Sequence, residues 1–111
     1  QIKRIQNFTK YLSNQKFNVI VSALYSNAKI LKWNKNNFSN YIEIYVKTNM
    51  KELIKRDRGK LYSRYLNKEH KNVVGMDINF YPPKNPHIII NTEKKTIDSS
   101  VKIIMDFINN K

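Results

Sequence analysis

Apolar residues recur at helical spacing over the first sixteen positions. Ile5, Phe8, Tyr11 and Leu12 gather on one side of the wheel, and Lys3, Arg4 and Lys10 fall elsewhere. This predicts an amphipathic helix over 1–16, closed by Asn14-Gln15-Lys16. The next run, Phe17 to Leu24 (FNVIVSAL), is almost continuously apolar and rich in β-branched residues, the pattern of a strand buried on both faces of a parallel sheet. Ala28, Ile30, Leu31 and Trp33 predict a helix over 27–37, and Tyr41 to Val46 (YIEIYV) a second strand. Thr48 or Asn49 can cap a helix that turns Met50, Leu53 and Ile54 toward a core. Residues 59–69 predict a short charged helix. Residues 70–86, with one glycine and all three prolines, predict an ordered irregular loop. His87 to Asn91 is a third strand. The last helix is capped by Thr96 or Asp98 and carries Ile97, Val101, Ile104, Met105 and Ile108.

Helices alternating with buried strands give an α/β class: a parallel sheet with flanking helices. Three strands make a thin sheet for a doubly wound fold, so one or two further strands are expected from a portion N-terminal to Gln1. The chain opens on glutamine rather than methionine, which fits a processed or truncated polypeptide. No internal repeat or linker breaks it, and 111 residues suffice for one domain with a modest core.

Composition narrows the function less than the pattern does. There is no cysteine, hence no disulfide and no thiolate metal site. No apolar run reaches the length of a membrane span and no signal peptide opens the chain, so a cytoplasmic location and no membrane partner are expected. The net charge of +13 admits a nucleic-acid surface. The lysines are spread along the whole chain, however, and rise together with asparagine and isoleucine. With no Arg-Gly tract or RNA-recognition strand, nucleic acid is the lesser alternative to a basic cleft for a phosphorylated small molecule. A non-catalytic remnant is the other alternative.

Six segments in order carry a resemblance to adenylylsulfate (APS) kinases. They are Gln1-Ile2-Lys3-Arg4 for the family's Asn-Ile-Arg-Arg, and Ser22-Ala23-Leu24-Tyr25-Ser26 where the family has Ile-Ser-Pro-Tyr. Next come Tyr41-Ile42-Glu43-Ile44-Tyr45-Val46 for its F-x-E-V strand, and Arg56-Asp57-Arg58-Gly59-Lys60-Leu61-Tyr62 for Arg-Asp-Pro-Lys-Gly-Leu-Tyr. The last two are Lys71-Asn72-Val73-Val74-Gly75-Met76 for Lys-x-Phe-Thr-Gly-Ile, and Pro83-Lys84-Asn85-Pro86-His87-Ile88-Ile89-Ile90 for the Pro-x-x-Pro-Glu run. The chain therefore resembles the C-terminal part of a P-loop kinase, and 1–111 is expected to be a single domain of that kind. The Walker motif G-x-x-x-x-G-K-[ST] does not occur in it.

The resemblance implies ATP and Mg²⁺ as cofactors, a nucleotide small-molecule acceptor, a homodimer, a role in sulfate assimilation, and dependence on a missing N-terminal kinase portion. Without that portion the chain is expected to be inactive. It implies Gln1, Arg4, Leu24, Tyr25, Lys71, Asn72 and Val73 as acceptor contacts, and Arg56, Arg58, Thr92 and Lys95 as nucleotide contacts. Lys60 is the candidate lid lysine that screens phosphate charge in transfer, although glycine and lysine have exchanged places here. Arg4 suits bidentate capture of a phosphate or sulfate. Arg56 could lie against the ATP base, or could pair with a neighbouring carboxylate. Val73 stands where the family places a phenylalanine that stacks on the adenine of APS, and it offers no ring. The acceptor is therefore expected to be APS or, with these changes, a cytidine nucleotide of a branch linked to surface-polysaccharide modification. Other chemistries find no support. His70 and His87 lack partners at metal-ligand spacing, no nucleophile elbow occurs, and Trp33, Tyr41, Tyr45 and Phe80 suit packing.

Overall fold

The computed structural model describes residues 1–24 and 27–111. The chain forms two compact units, Gln1–Tyr41 and Ile42–Lys111. The first holds α1 (Ile2–Asn14) and α2 (Ala28–Asn37). The second runs β1 (Ile44–Lys47), α3 (Met50–Lys55), α4 (Leu61–Leu66), β2 (Ile88–Asn91) and α5 (Ile97–Asn109).

Helix α1 stops because Lys16 enters the left-handed region (φ 65). The N–H of Phe17 then reaches the Leu12 carbonyl and that of Lys16 the Ser13 carbonyl, a Schellman closure. Of the expected apolar face, Ile5 and Leu12 are half-buried. Phe8 and Tyr11 stay exposed, and the buried link is polar: Gln6 Nε2 donates to Asn34 Oδ1 at 2.7 Å. Asn34 Nδ2 in turn reaches the Tyr41 hydroxyl at 3.4 Å. Trp33 sits edge-on to Phe38, with Lys10 5.8 Å above its ring.

The second expected departure is larger. Phe17 to Leu24 forms no strand and joins no ladder, and Ile20 is 96% exposed. A doubly buried strand needs neighbours on both edges and cover on both faces. Among the described residues the sheet is a single parallel pair, with Ile44 opposite Ile88 and Lys47 opposite Asn91.

That pair is the centre of the second unit. Ile88 and Ile90 are buried, Ile90 to 1% exposure, while Ile89 between them is open, as the two-residue period of a strand requires. Short clamps bound the pair. At its start the Glu43 N–H donates to His87 Nδ1 at 2.9 Å, and the His87 N–H returns to the Glu43 carbonyl at 2.8 Å. At its end Asn49 is held twice by the Glu93 carboxylate, at 2.8 and 2.7 Å. Asn49 also caps α3 through the Glu52 N–H, and Thr96 caps α5 through that of Ser99. Tyr45 stacks on Phe80. The apolar stripe expected of α5 is only half covered: Ile104 is partly buried, while Ile97 is 83% exposed and Val101, Met105 and Ile108 are open.

Gln6→Leu tests the polar link of the first unit. It leaves the buried Asn34 Oδ1 without its donor, so stability should fall by about 1–3 kcal/mol. Urea unfolding followed by the fluorescence of Trp33, the chain's single tryptophan, measures it. An unchanged midpoint would mean that water replaces the amide at no cost.

Candidate functional site

Helix α3 ends at Arg56, and its guanidinium reaches across to the end of β2. Nε pairs with Glu52 Oε1 at 2.8 Å, one turn back. The terminal nitrogens donate to Thr92 Oγ1 at 3.1 Å and to the Thr92 carbonyl at 3.0 Å. The Thr92 N–H is itself bound to the Lys47 carbonyl at 2.9 Å. Arg56 therefore ties the helix to the point where both strands finish. The neighbouring carboxylate that it could have paired with, Asp57, is engaged elsewhere. Among the described residues three of its five N–H donors are taken, leaving two.

Beside this fork lies an open groove of about 500 Å³, lined by Val46 and Ile90 from the strands, by Arg56, Thr92 and Lys95, and by Ile104 of α5. Three of the four expected nucleotide contacts thus line one groove, together with apolar side chains. Arg58, the fourth, lies in an adjoining concavity of about 540 Å³ with Lys55, Arg56 and Asp57.

Asp57 is the residue that motif reasoning left without a role. Its Oδ1 accepts the Leu61 N–H at 2.8 Å, and its Oδ2 accepts those of Tyr62 at 2.9 Å and Ser63 at 3.1 Å and the Ser63 hydroxyl at 3.1 Å. It caps α4 from outside the helix, so Arg58-Gly59-Lys60 is an exposed loop and the helix expected over 59–69 begins at Leu61. An aspartate followed at this distance by a serine and a helical run is the signal that could have shown it. Burial acts to raise the Asp57 carboxyl, but the hydrogen bonds from Ser63, Leu61 and Tyr62 outweigh it and hold it below the ordinary value of 3.8. Lys60 takes the left-handed conformation (φ 53) where the resembling family's motif order would offer glycine, while Gly59 has nothing within 4 Å of an added Cβ.

The second motif segment is closed by another carboxylate. Asp77 accepts the N–H groups of Asn72 at 2.9 Å and Val73 at 2.7 Å. Its carboxyl also lies below 3.8. The Asn72 bond is the largest cause, desolvation opposes it, and the Val73 N–H and the charge of His70 add to it. Lys71 and Asn72 are exposed. Val73, expected to give an acceptor apolar contact, is packed inward at 2% exposure.

The remaining expected contacts belong to the first unit. Gln1 stands at the N-cap of α1 without a side-chain cap bond; Arg4 and Leu24 are exposed; Tyr25 lies outside the described residues. Among the described residues no three His, Cys, Asp or Glu come close enough to hold a metal ion. No helix among them is long and apolar enough to cross a membrane.

Two outcomes follow from this geometry. Lys60→Gly should raise stability by about 1 kcal/mol by relieving the left-handed lysine, read from the urea midpoint; no gain would mean that the backbone there carries no strain. Protonation of Asp57 and Asp77 should release their loops. Their folded values lie below 3.8, so their stabilisation is complete above that pH and is lost as pH falls through the depressed values. The amide-proton shifts of Leu61, Ser63, Asn72 and Val73 should titrate with midpoints under 3.8, and midpoints above it would contradict the assignment.

Comparison with known proteins adds the family context. The adenylylsulphate kinase family model matches residues 1–91. Among curated relatives, a cytidine diphosphoramidate kinase of Campylobacter jejuni subsp. jejuni serotype O:2 is 39% identical over 98 residues, which is 88% of this chain and 58% of that protein. A probable adenylyl-sulfate kinase of Aeropyrum pernix is 35% identical over 68 residues, 61% of this chain and 37% of its own. The adenylyl-sulfate kinase of Oceanobacillus iheyensis is 35% identical over 71 residues, 64% and 36%. The chain thus spans 58% of the first relative's length and little over a third of the other two.

Proposed function

This chain belongs to the adenylylsulphate kinase family, and from that premise we propose that it supplies the lid and acceptor segments of an ATP-dependent kinase acting on a hydroxyl of a cytidine diphosphate derivative. In the transfer, the acceptor's hydroxyl oxygen forms a bond to the γ-phosphorus as the bond from that phosphorus to the bridging oxygen breaks. ADP leaves, and the hydroxyl proton passes to solvent or base.

Each segment has a part in this reading. The groove of Arg56, Thr92 and Lys95 takes the nucleotide base and its nearest charge, since a planar cation beside an apolar floor suits an aromatic ring. Arg58 and Lys60 hold positive charge on the lid loop. Lys71 and Asn72 present an ammonium and a carboxamide to the acceptor. Because no Walker sequence occurs in the 111 residues, transfer awaits a polypeptide that cradles the triphosphate.

Val73 carries the choice of acceptor. A buried valine replaces the phenylalanine that the resembling kinases stack on adenine, so the affinity that ring stacking brings to APS, on the order of 1 kcal/mol, has no source here. The substrate named for the Campylobacter relative, a cytidine diphosphate compound, points the same way. Calorimetric titration of the chain with cytidine diphosphate and with APS tests this. Cytidine diphosphate should bind about tenfold more tightly, and the same mixtures supplied with ATP should form no ADP. A preference for APS would overturn the acceptor assignment.

A further inference from the structure

The acceptor segment is a closed loop whose shape one side chain controls. The Val73 carbonyl accepts the N–H groups of Met76 at 3.0 Å and Ile78 at 3.2 Å, and the Gly75 N–H reaches the Ile78 carbonyl at 2.7 Å. Gly75 sits at φ 89, and a Cβ on it would stand 3.0 Å from Met50 Cε. These bonds fasten the loop from Val73 onward. Upstream of Val73 a different group takes over. Asn72 is in the left-handed region (φ 61), and its N–H and the next one converge on the two oxygens of Asp77.

We propose that Asp77 is the positioning residue of the acceptor segment: by holding two consecutive N–H groups it fixes the left-handed turn at Asn72 and so sets where the Lys71 and Asn72 side chains meet an anionic nucleotide. The proposal rests on reading Lys71 and Asn72 as acceptor contacts. Asp77 touches no ligand itself. Both of its oxygens must accept, which a carboxylate does and a carboxamide does not, since an asparagine would turn its NH₂ toward one of the two N–H groups. Asparagine tolerates the left-handed backbone better than other non-glycine residues, but nothing in its own side chain holds it there: the Asn72 carboxamide makes no hydrogen bond among the described residues. Removing the carboxylate therefore frees the turn while leaving Val73 fastened through its carbonyl and its burial.

Asp77→Asn and Asp77→Glu, compared with the natural chain by amide spectra and by titration with cytidine diphosphate, test the proposal. In Asp77→Asn the Ile88–Asn91 amides should keep their positions, those of Asn72 and Val73 should move, and affinity should fall about tenfold. Asp77→Glu keeps a carboxylate that can reach the same N–H groups and should recover most of that affinity. A folded Asp77→Asn chain that binds as tightly as the natural one overturns the positioning role. Should that variant not fold, Asp77→Glu decides: displaced Asn72 and Val73 amides with unchanged affinity overturn it equally. A natural chain whose Asn72 and Val73 amides titrate with Asp77 but which binds no cytidine diphosphate sinks the acceptor reading instead, and the role in acceptor placement with it.

Discussion

Two parallel strands of four residues each cannot hold themselves together. Their ladder is short, and each face is open at one place, one at Val46 and the other at Ile89. What makes the pair persist is the clamping of both ends. Reciprocal bonds between Glu43 and His87 set the register at the start. At the finish Lys47, Thr92 and Arg56 form one chain of bonds, and Asn49 and Glu93 another. The second clamp also places the groove, because Thr92 and Arg56 line it. The same contacts therefore keep the sheet in register and hold the candidate site in shape. A change that loosened the Arg56 fork would be felt in both.

Carboxylates do the comparable work for the loops. The second unit is rich in cations, yet Asp57 and Asp77 accept backbone and hydroxyl donors rather than salt bridges. A carboxylate that gathers two or three N–H groups fixes several residues at once, and such bonds are stronger than those between neutral partners. It also leaves nearby cations without a neutralising partner. Arg58 and Lys60 stand in a loop held at both ends by Asp57, so the loop is ordered while its charges stay outward.

Much of this was legible in the sequence, for identifiable reasons. Helix boundaries signalled by side-chain caps, Asn49 and Thr96, fall where the pattern places them, since an N-cap is a local interaction. The α/β class and the parallel pairing of the YIEIYV and HIIIN runs follow from their composition. The Phe17–Leu24 run reads equally well as a buried strand, but burial is a property of neighbours, and no described residue pairs with it. Similarly, α5 has the stripe of a core helix and only part of the cover. At the site, Arg56, Thr92 and Lys95 were expected to share a role and do share a groove. Asp57 was hidden because its partners lie beyond a three-residue loop that breaks helical spacing. Val73 lies at 2% exposure, which its place in a motif could not reveal, since burial depends on the residues packed around it.

The charge arrangement bears on how such a site could select its ligand. Arg56 is half engaged by Glu52 and Thr92, so its position is fixed and its remaining donors are directional. Lys71 and Lys60 are exposed ammonium groups on ordered backbone, able to attract anions but not to orient them. On the proposed reading, specificity rests on the fixed groups: the Arg56 fork at the groove, and the Asn72 carboxamide wherever the Asp77 turn places it. The many lysines raise the encounter rate with phosphorylated ligands of every kind. High net charge and selective binding are then compatible, because they reside in different side chains.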